Sequence, residues 1–206
     1  ALAGAMNLND NAVLGIAMGT SEAGGYVDPS GNITGWLNEL AFVPCDFNED
    51  AMVDEWSGDY GCGVKYFCQD GVNKLAPRAG IELDESLSPA EKLKVTQKLM
   101  ENDDPRAVQV YESIGTYLGH TLAYYFEHYG FKYVLLLGRV MSGKGGDLLL
   151  DVHADSVHID RFFKFQHDHA DIFAGCGGHF LNMFQRGHGL LHGFGDLCLH
   201  LLRCGT

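Results

Sequence analysis

Two glycine-rich segments of this chain have the composition needed to hold phosphate. Backbone N–H groups reach a phosphate oxygen only where the main chain approaches closely, and glycine removes the Cβ that would stand in the way. Gly19-Thr20-Ser21-Glu22-Ala23-Gly24-Gly25 adds two hydroxyl donors to such a loop, and Gly138 to Gly146 (GRVMSGKGG) supplies a second. Each follows an apolar run, AVLGIAM and KYVLLL, which places both at strand ends. A structural turn remains the alternative for either loop taken alone. Gly138-x4-Gly143-Lys144-Gly145 falls one residue short of a P-loop, since that motif needs Ser or Thr after the lysine to hold Mg²⁺ and Gly145 offers no hydroxyl. Glu22 and Asp28 are the acids nearest the first loop, and hairpin carboxylates are expected to be solvated surface groups.

The remaining candidates lie late in the chain. Eight of the ten histidines and three of the six cysteines follow Val152, among them His167-Asp168-His169, Cys176-x2-His179, Cys198 and Cys204. All are ligand types for soft or borderline metal ions, yet no closely spaced couple is matched by a second one in a zinc pattern. The apolar residues from Ile172 to Leu202 suggest instead one or two amphipathic helices packed on the main body, although the interspersed glycines argue against a long regular helix.

The elements that would carry the loops can be read from periodicity. Ala12 to Met18 reads as a buried strand. Gly24 to Asp28 and Ile33 to Trp36 suggest a hairpin about Pro29, Gly31 and Asn32, and Leu40 to Val43 reads as a third strand. The acidic stretch from Asp46 to Tyr60 is loop-like, and a helix is expected within Gly61 to Leu75. Ser88-Pro89-Ala90-Glu91 is a capping box opening a helix to about Met100. Asp104-Pro105 opens another, with Ala107, Tyr111, Ile114, Leu118, Leu122 and Tyr125 on one stripe, ended by Gly130. Gly115 and Gly119, one turn apart, imply a close neighbour along that helix. After the strand from Lys132 to Leu137 and the second glycine loop, a helix is expected from Asp147 to Val157. Strands, paired helices, then strand, glycine loop and helix make an α/β layer structure with a ligand at the strand ends.

A length of 206 residues with 46% hydrophobic composition suits one principal core. The formal net charge of −13 excludes a basic footprint for nucleic acid or anionic membranes. No apolar run reaches the roughly 20 residues of a membrane span, and the opening ALAGAMNLND lacks the basic and apolar regions of a signal peptide. With cysteines too scattered for a disulfide framework, the expectation is a soluble protein of a reducing, cytoplasmic compartment.

The run LGIAMGTSEAGGYVDPSGNITGWLNELAFVP resembles the segment of ROK-family sugar kinases in which a strand, a Gly-Thr-Gly phosphate loop, a hairpin and a Gly-Glu-x-Gly-His sugar motif follow one another. VLLLGRVMSGKGGDLLLDVHADSV is similar to the family's adenosine-side strand, turn and helix. The resemblance implies a ribonuclease H-like, actin-like ATPase lobe, α/β with a mixed sheet and flanking helices, over residues 1–157, followed by a divergent tail over residues 158–206. It also implies ATP with its Mg²⁺, a hexose substrate, and a dimer or assembly partner. Gly19, Thr20 and Ser21 would lie beside the ATP phosphates, Gly138, Val140 and Ser142 beside adenosine, and Glu39 would take the sugar hydroxyls. Phe42 replaces the family's histidine, and only Cys62 of Cys62 and Cys68 is in register with the zinc knuckle, so structural zinc is not expected. The family's first phosphate loop and general-base aspartate would precede Ala1, leaving no catalytic residue in this chain. Three readings remain open: the nucleotide lobe of a hexose kinase, inactive alone; a non-enzymatic descendant serving as a structural or binding module; and a P-loop NTPase.

Overall fold

The computed structural model describes residues 1–33, 39–156 and 199–203. It contains a mixed sheet of four strands in the order β2-β1-β3-β4. β1 (Val13–Met18) and β2 (Glu22–Val27) form an antiparallel hairpin, with Val13 opposite Val27 and Met18 opposite Glu22. β3 (Tyr133–Leu137) lies parallel to β1, with Val13 beside Tyr133 and Ala17 beside Leu137. β4 (Leu199–Arg203) pairs antiparallel with β3.

Strand side chains alternate between two faces, and here both are covered. Leu14, Ile16 and Met18 of β1 join Val134 and Leu136 of β3 in the main core beneath the helices. Val13, Tyr133 and Leu135 point the other way, with Val27 and Ala5, onto the short helix α1 (Leu2–Leu8). Central strands enclosed on both sides read as continuous apolar runs, which explains the sequence pattern.

The main layer comprises α2 (Gln69–Arg78), α3 (Pro89–Glu101), α4 (Pro105–Tyr129) and α5 (Lys144–Ser156). The expected start of α3 is present as a full capping box: Ser88 accepts from the Glu91 N–H, and the Ser88 N–H donates to the Glu91 carboxylate at 2.8 Å. Asp104 caps α4, which buries Tyr111, Ile114, Leu118, Leu122 and Tyr125 and closes at Gly130 in the left-handed conformation. Gly115 and Gly119 are on the buried face. α5 packs closely on α4, its Gly145 lying where an added Cβ would come within 2.4 Å of the Tyr111 ring.

Several expectations are corrected. Leu40–Phe42 is a single 3-10 turn rather than a strand, because the chain bends to place Leu40 and Ala41 in the core while Phe42 stays at the surface. The helix expected within Gly61 to Leu75 is present as α2, preceded by a 3-10 turn at Gly63–Lys65 and running on to Arg78. The principal hairpin is β1-β2, turning at Gly19 to Ser21; the Pro29 turn follows it, with an isolated bridge between Val27 and Ile33, and Trp36 lies outside the described residues. α5 starts at Lys144, three residues before Asp147. Leu199 to Leu202, expected in a helix, form an edge strand, since β3 presents an unpaired backbone edge there. The histidine- and cysteine-rich stretch between α5 and β4 lies outside the described residues, as does Cys204.

Ser88→Ala removes the accepting side of the capping box and is expected to lower stability by about 1 kcal/mol in urea unfolding.

Candidate functional site

Parallel pairing of β1 and β3 sets the C-terminal ends of both strands side by side, so the turns that follow them emerge together. Gly138, directly after β3, has φ 112°, and a Cβ there would stand 2.4 Å from the Met18 carbonyl oxygen. The last residue of β1 and the first residue after β3 are therefore in backbone contact, a closeness only glycine permits. Beyond Met18, the Gly19 N–H donates to the Ser21 carbonyl at 3.1 Å, and the Gly19 carbonyl accepts from the Gln69 N–H at 2.8 Å. The first turn is thus pinned to the start of α2, with Thr20 and Ser21 exposed at its tip.

Of the residues expected beside a nucleotide, Gly19, Thr20, Ser21 and Gly138 share this end of the sheet. Val140 departs from expectation: it is 0% exposed, packed in the main core. Ser142, half-buried, ends the 3-10 turn Arg139–Met141 and donates its N–H to the Arg139 carbonyl at 3.2 Å. Glu39 is exposed, opening the Leu40–Phe42 turn.

The P-loop alternative meets a physical obstacle. Where a P-loop would seat phosphate, the N-terminus of α5 is occupied by the Glu101 carboxylate, which accepts from the Lys144 N–H at 3.3 Å. Lys144 itself turns to Asp103, its ammonium 2.8 Å from both carboxylate oxygens. Helix dipole and lysine are both already matched by carboxylates.

Glu22 is the residue that sequence reasoning misjudged. Expected in solvent, it is 4% exposed, and among the described residues neither carboxylate oxygen has a hydrogen-bond partner. It faces inward from β2 over Gly63, where an added Cβ would lie 2.3 Å from Glu22 Oε2 and 3.0 Å from the Leu40 carbonyl oxygen. Burial pushes its carboxyl up to about 8, so it is protonated at neutral pH. Cys45 and Tyr125 are the titratable neighbours whose fields couple to it, and burial raises both and keeps them neutral. Position immediately after the Thr20 and Ser21 hydroxyls was the one sequence cue, and an acid in a hairpin pointed the other way. Asp28 behaves as expected, accepting from the Ser30 and Asn32 N–H groups at the hairpin's turn.

Asp46 shows the contrasting buried carboxylate. Burial works to raise it, but hydrogen bonds from the Tyr66 hydroxyl and the Asn48 N–H at 3.0 Å prevail and hold it below the ordinary carboxylate range. Cys45, Cys62 and Cys68 are free thiols, and among the described residues no group of three or more His, Cys, Asp or Glu is placed to hold a metal ion. No helix among the described residues is long and apolar enough to cross a membrane.

Two variants test this geometry. Gly138→Ala forces both a strained φ and a clash with Met18, and is expected to cost on the order of 1–3 kcal/mol in chemical denaturation. Glu22 has a folded value of about 8 against an ordinary 4.5, so its contribution to stability is full below pH 4.5 and is lost as pH rises to about 8. Glu22→Gln is expected to remove that loss, melting higher than the parent at pH 8 with the gap narrowing toward pH 5.

No family model and no curated protein matches the sequence. Solved structures do. A ROK family glucokinase from Streptomyces griseus, in complex with glucose and AMPPNP, is 18% identical with a TM-score of 0.57, over 71% of this chain and 50% of that one. A ROK hexokinase from Thermus thermophilus gives 19% identity and a TM-score of 0.59, over 76% and 52%. A ROK family transcriptional regulator, a homologue of the E. coli MLC protein, gives 17% and 0.58, over 75% and 40%. The chain spans about half the length of the two kinases it matches. These superpositions show that the chain has the fold of the ROK proteins it matches, α/β with a mixed sheet and flanking helices.

Proposed function

We propose that residues 1–157 form the nucleotide-binding lobe of a ROK-type sugar kinase, which in the full-length protein serves ATP-dependent phosphorylation of a hexose. The observation that carries this reading is the backbone contact between Gly138 and Met18, which brings the two glycine turns to one end of the sheet. The residues present fit the nucleotide. Thr20 and Ser21 offer exposed hydroxyls for phosphate oxygens, and the half-buried Ser142, four residues after Gly138, is the group for the adenosine end. Mg²⁺ would arrive with the nucleotide and neutralise phosphate charge. Glu39, exposed at the turn before Phe42, is the group for sugar hydroxyls.

Transfer to a hydroxyl also needs a carboxylate base in line with the γ-phosphate. Glu22 is buried and protonated, and Glu39 is assigned to binding, so this chain alone is expected to hold nucleotide without turning it over. A cytoplasmic setting and a homodimer or other assembly partner belong to the same proposal. The second reading, a non-enzymatic binding or structural module, is favoured by one finding: the same fold serves a transcriptional regulator.

Calorimetry with an ATP analogue should detect binding by this chain, and glucose-dependent ATP hydrolysis should appear only with the complete gene product. Lys144→Ala should leave nucleotide affinity within about twofold, whereas a P-loop lysine would be indispensable. Absence of nucleotide binding by both chain and complete product would overturn the kinase reading. Binding without hydrolysis by the complete product would favour the regulator-like alternative.

A further inference from the structure

The loop from Val53 to Tyr60 holds a tryptophan out in water on a frame built to keep it still. Val53 and Tyr60 form an antiparallel bridge. Between them the Asp54 N–H donates to the Asp59 carbonyl and the Gly58 N–H to the Asp54 carbonyl, both at 2.8 Å. The Asp54 carboxylate accepts from the Ser57 N–H at 2.8 Å and pairs with the buried Lys65 at 3.3 Å. Lys65 also pairs with Glu55, and Lys74 reaches the same carboxylate at 2.8 Å, so the residue before Trp56 is tethered to α2 and the turn preceding it. Trp56 itself is 84% exposed, and its ring centroid lies 5.7 Å from that of Phe42, with the planes tilted by 32°. A large aromatic ring fixed in solvent by this many contacts gains little from folding by its own burial, which marks it as a surface for a ligand.

The neighbouring groups select the ligand's chemistry. Phe42 closes the turn that Glu39 opens, its N–H donating to the Glu39 carbonyl at 3.1 Å. That backbone bond keeps the exposed Glu39 within one turn of Phe42 along the chain. Aromatic faces take the C–H face of a pyranose ring, and an ionised carboxylate accepts its hydroxyl hydrogens. Further exposed carboxylates, Asp59 on the same loop and Glu49 and Asp50 just before it, favour a neutral polyol and repel an anion. One or two rings also fall far short of the roughly 800 Å² per partner that a stable protein interface needs.

Resting on the hexose reading above, we infer that Phe42 and Trp56 form a stacking platform that seats a neutral pyranose with its hydroxyls on Glu39, and so determines sugar specificity. Trp36 and Trp56 are the two tryptophans, so in Trp36→Phe the second is the sole reporter. Titration of that variant with glucose is expected to shift Trp56 emission to the blue in a saturable way, while glucose 6-phosphate produces at least tenfold weaker binding. Trp56→Ala is expected to weaken glucose binding measured by calorimetry about tenfold, with Trp56→Phe recovering most of it; an exposed site makes unfolding by either change unexpected. Glucose binding detected as heat but without change in Trp56 emission, or with equal affinity in Trp56→Ala, would overturn the platform. So would the absence of any glucose binding. In each case retained binding of an ATP analogue by the same sample would leave the nucleotide reading standing.

Discussion

Everything at the candidate site depends on the parallel pairing of two central strands. β1 and β3 are separated by more than a hundred residues, yet their ladder sets Met18 and Gly138 in contact. Parallel strands need a crossover on a sheet face, and the crossover here includes α2, α3 and α4. Those helices bury one side of β1 and β3 while α1 covers part of the other. The same burial that stabilises the sheet, roughly 1.5–3 kcal/mol for each fully buried aliphatic or aromatic side chain, therefore aligns the two glycine turns. Stability and site geometry share one cause.

Two buried carboxylates, Asp46 and Glu22, illustrate opposite solutions to the same problem. Asp46 remains ionised because Tyr66 and Asn48 donate to it. Glu22, without such donors among the described residues, is driven to its neutral form and sits over Gly63, whose missing side chain makes the room. A neutral Glu22 joins β2 to the Cys62–Gly63 turn without placing a negative charge behind the Gly19–Ser21 tip, where an anion is proposed to bind. Charge repulsion with that proposed anion is thereby avoided.

Around the proposed Phe42–Trp56 platform, ion pairing has a different use. Asp54, Glu55, Lys65 and Lys74 form a network, centred on the buried Lys65–Asp54 pair, that fixes the short turn bearing Trp56. Burial works against the Lys65 ammonium, and the two carboxylates more than offset it, so the charge persists. Rigidity in a displayed aromatic lowers the ordering cost of binding, and the neighbouring Glu39–Phe42 turn supplies the polar component.

Sequence alone determined the elements whose causes are local. Ser88-Pro89-Ala90-Glu91 opens a helix wherever it occurs, because its hydrogen bonds lie within four residues; Asp104-Pro105, Gly130 and the apolar runs of β1 and β3 are legible for the same reason. Resemblance in two glycine-loop segments was enough to anticipate the fold class. Long-range packing decided the rest. Leu40–Phe42 has strand-like composition but bends into a turn to meet the core, and Leu199–Arg203 joins the free edge of β3 as a strand although its leucines fit a helix equally well. Glu22 changes from a solvated acid to a buried neutral one because of Gly63, forty-one residues away, and the Phe42–Trp56 pair exists only once two loops meet. Burial, unlike capping, depends on neighbours that a stretch of sequence does not contain.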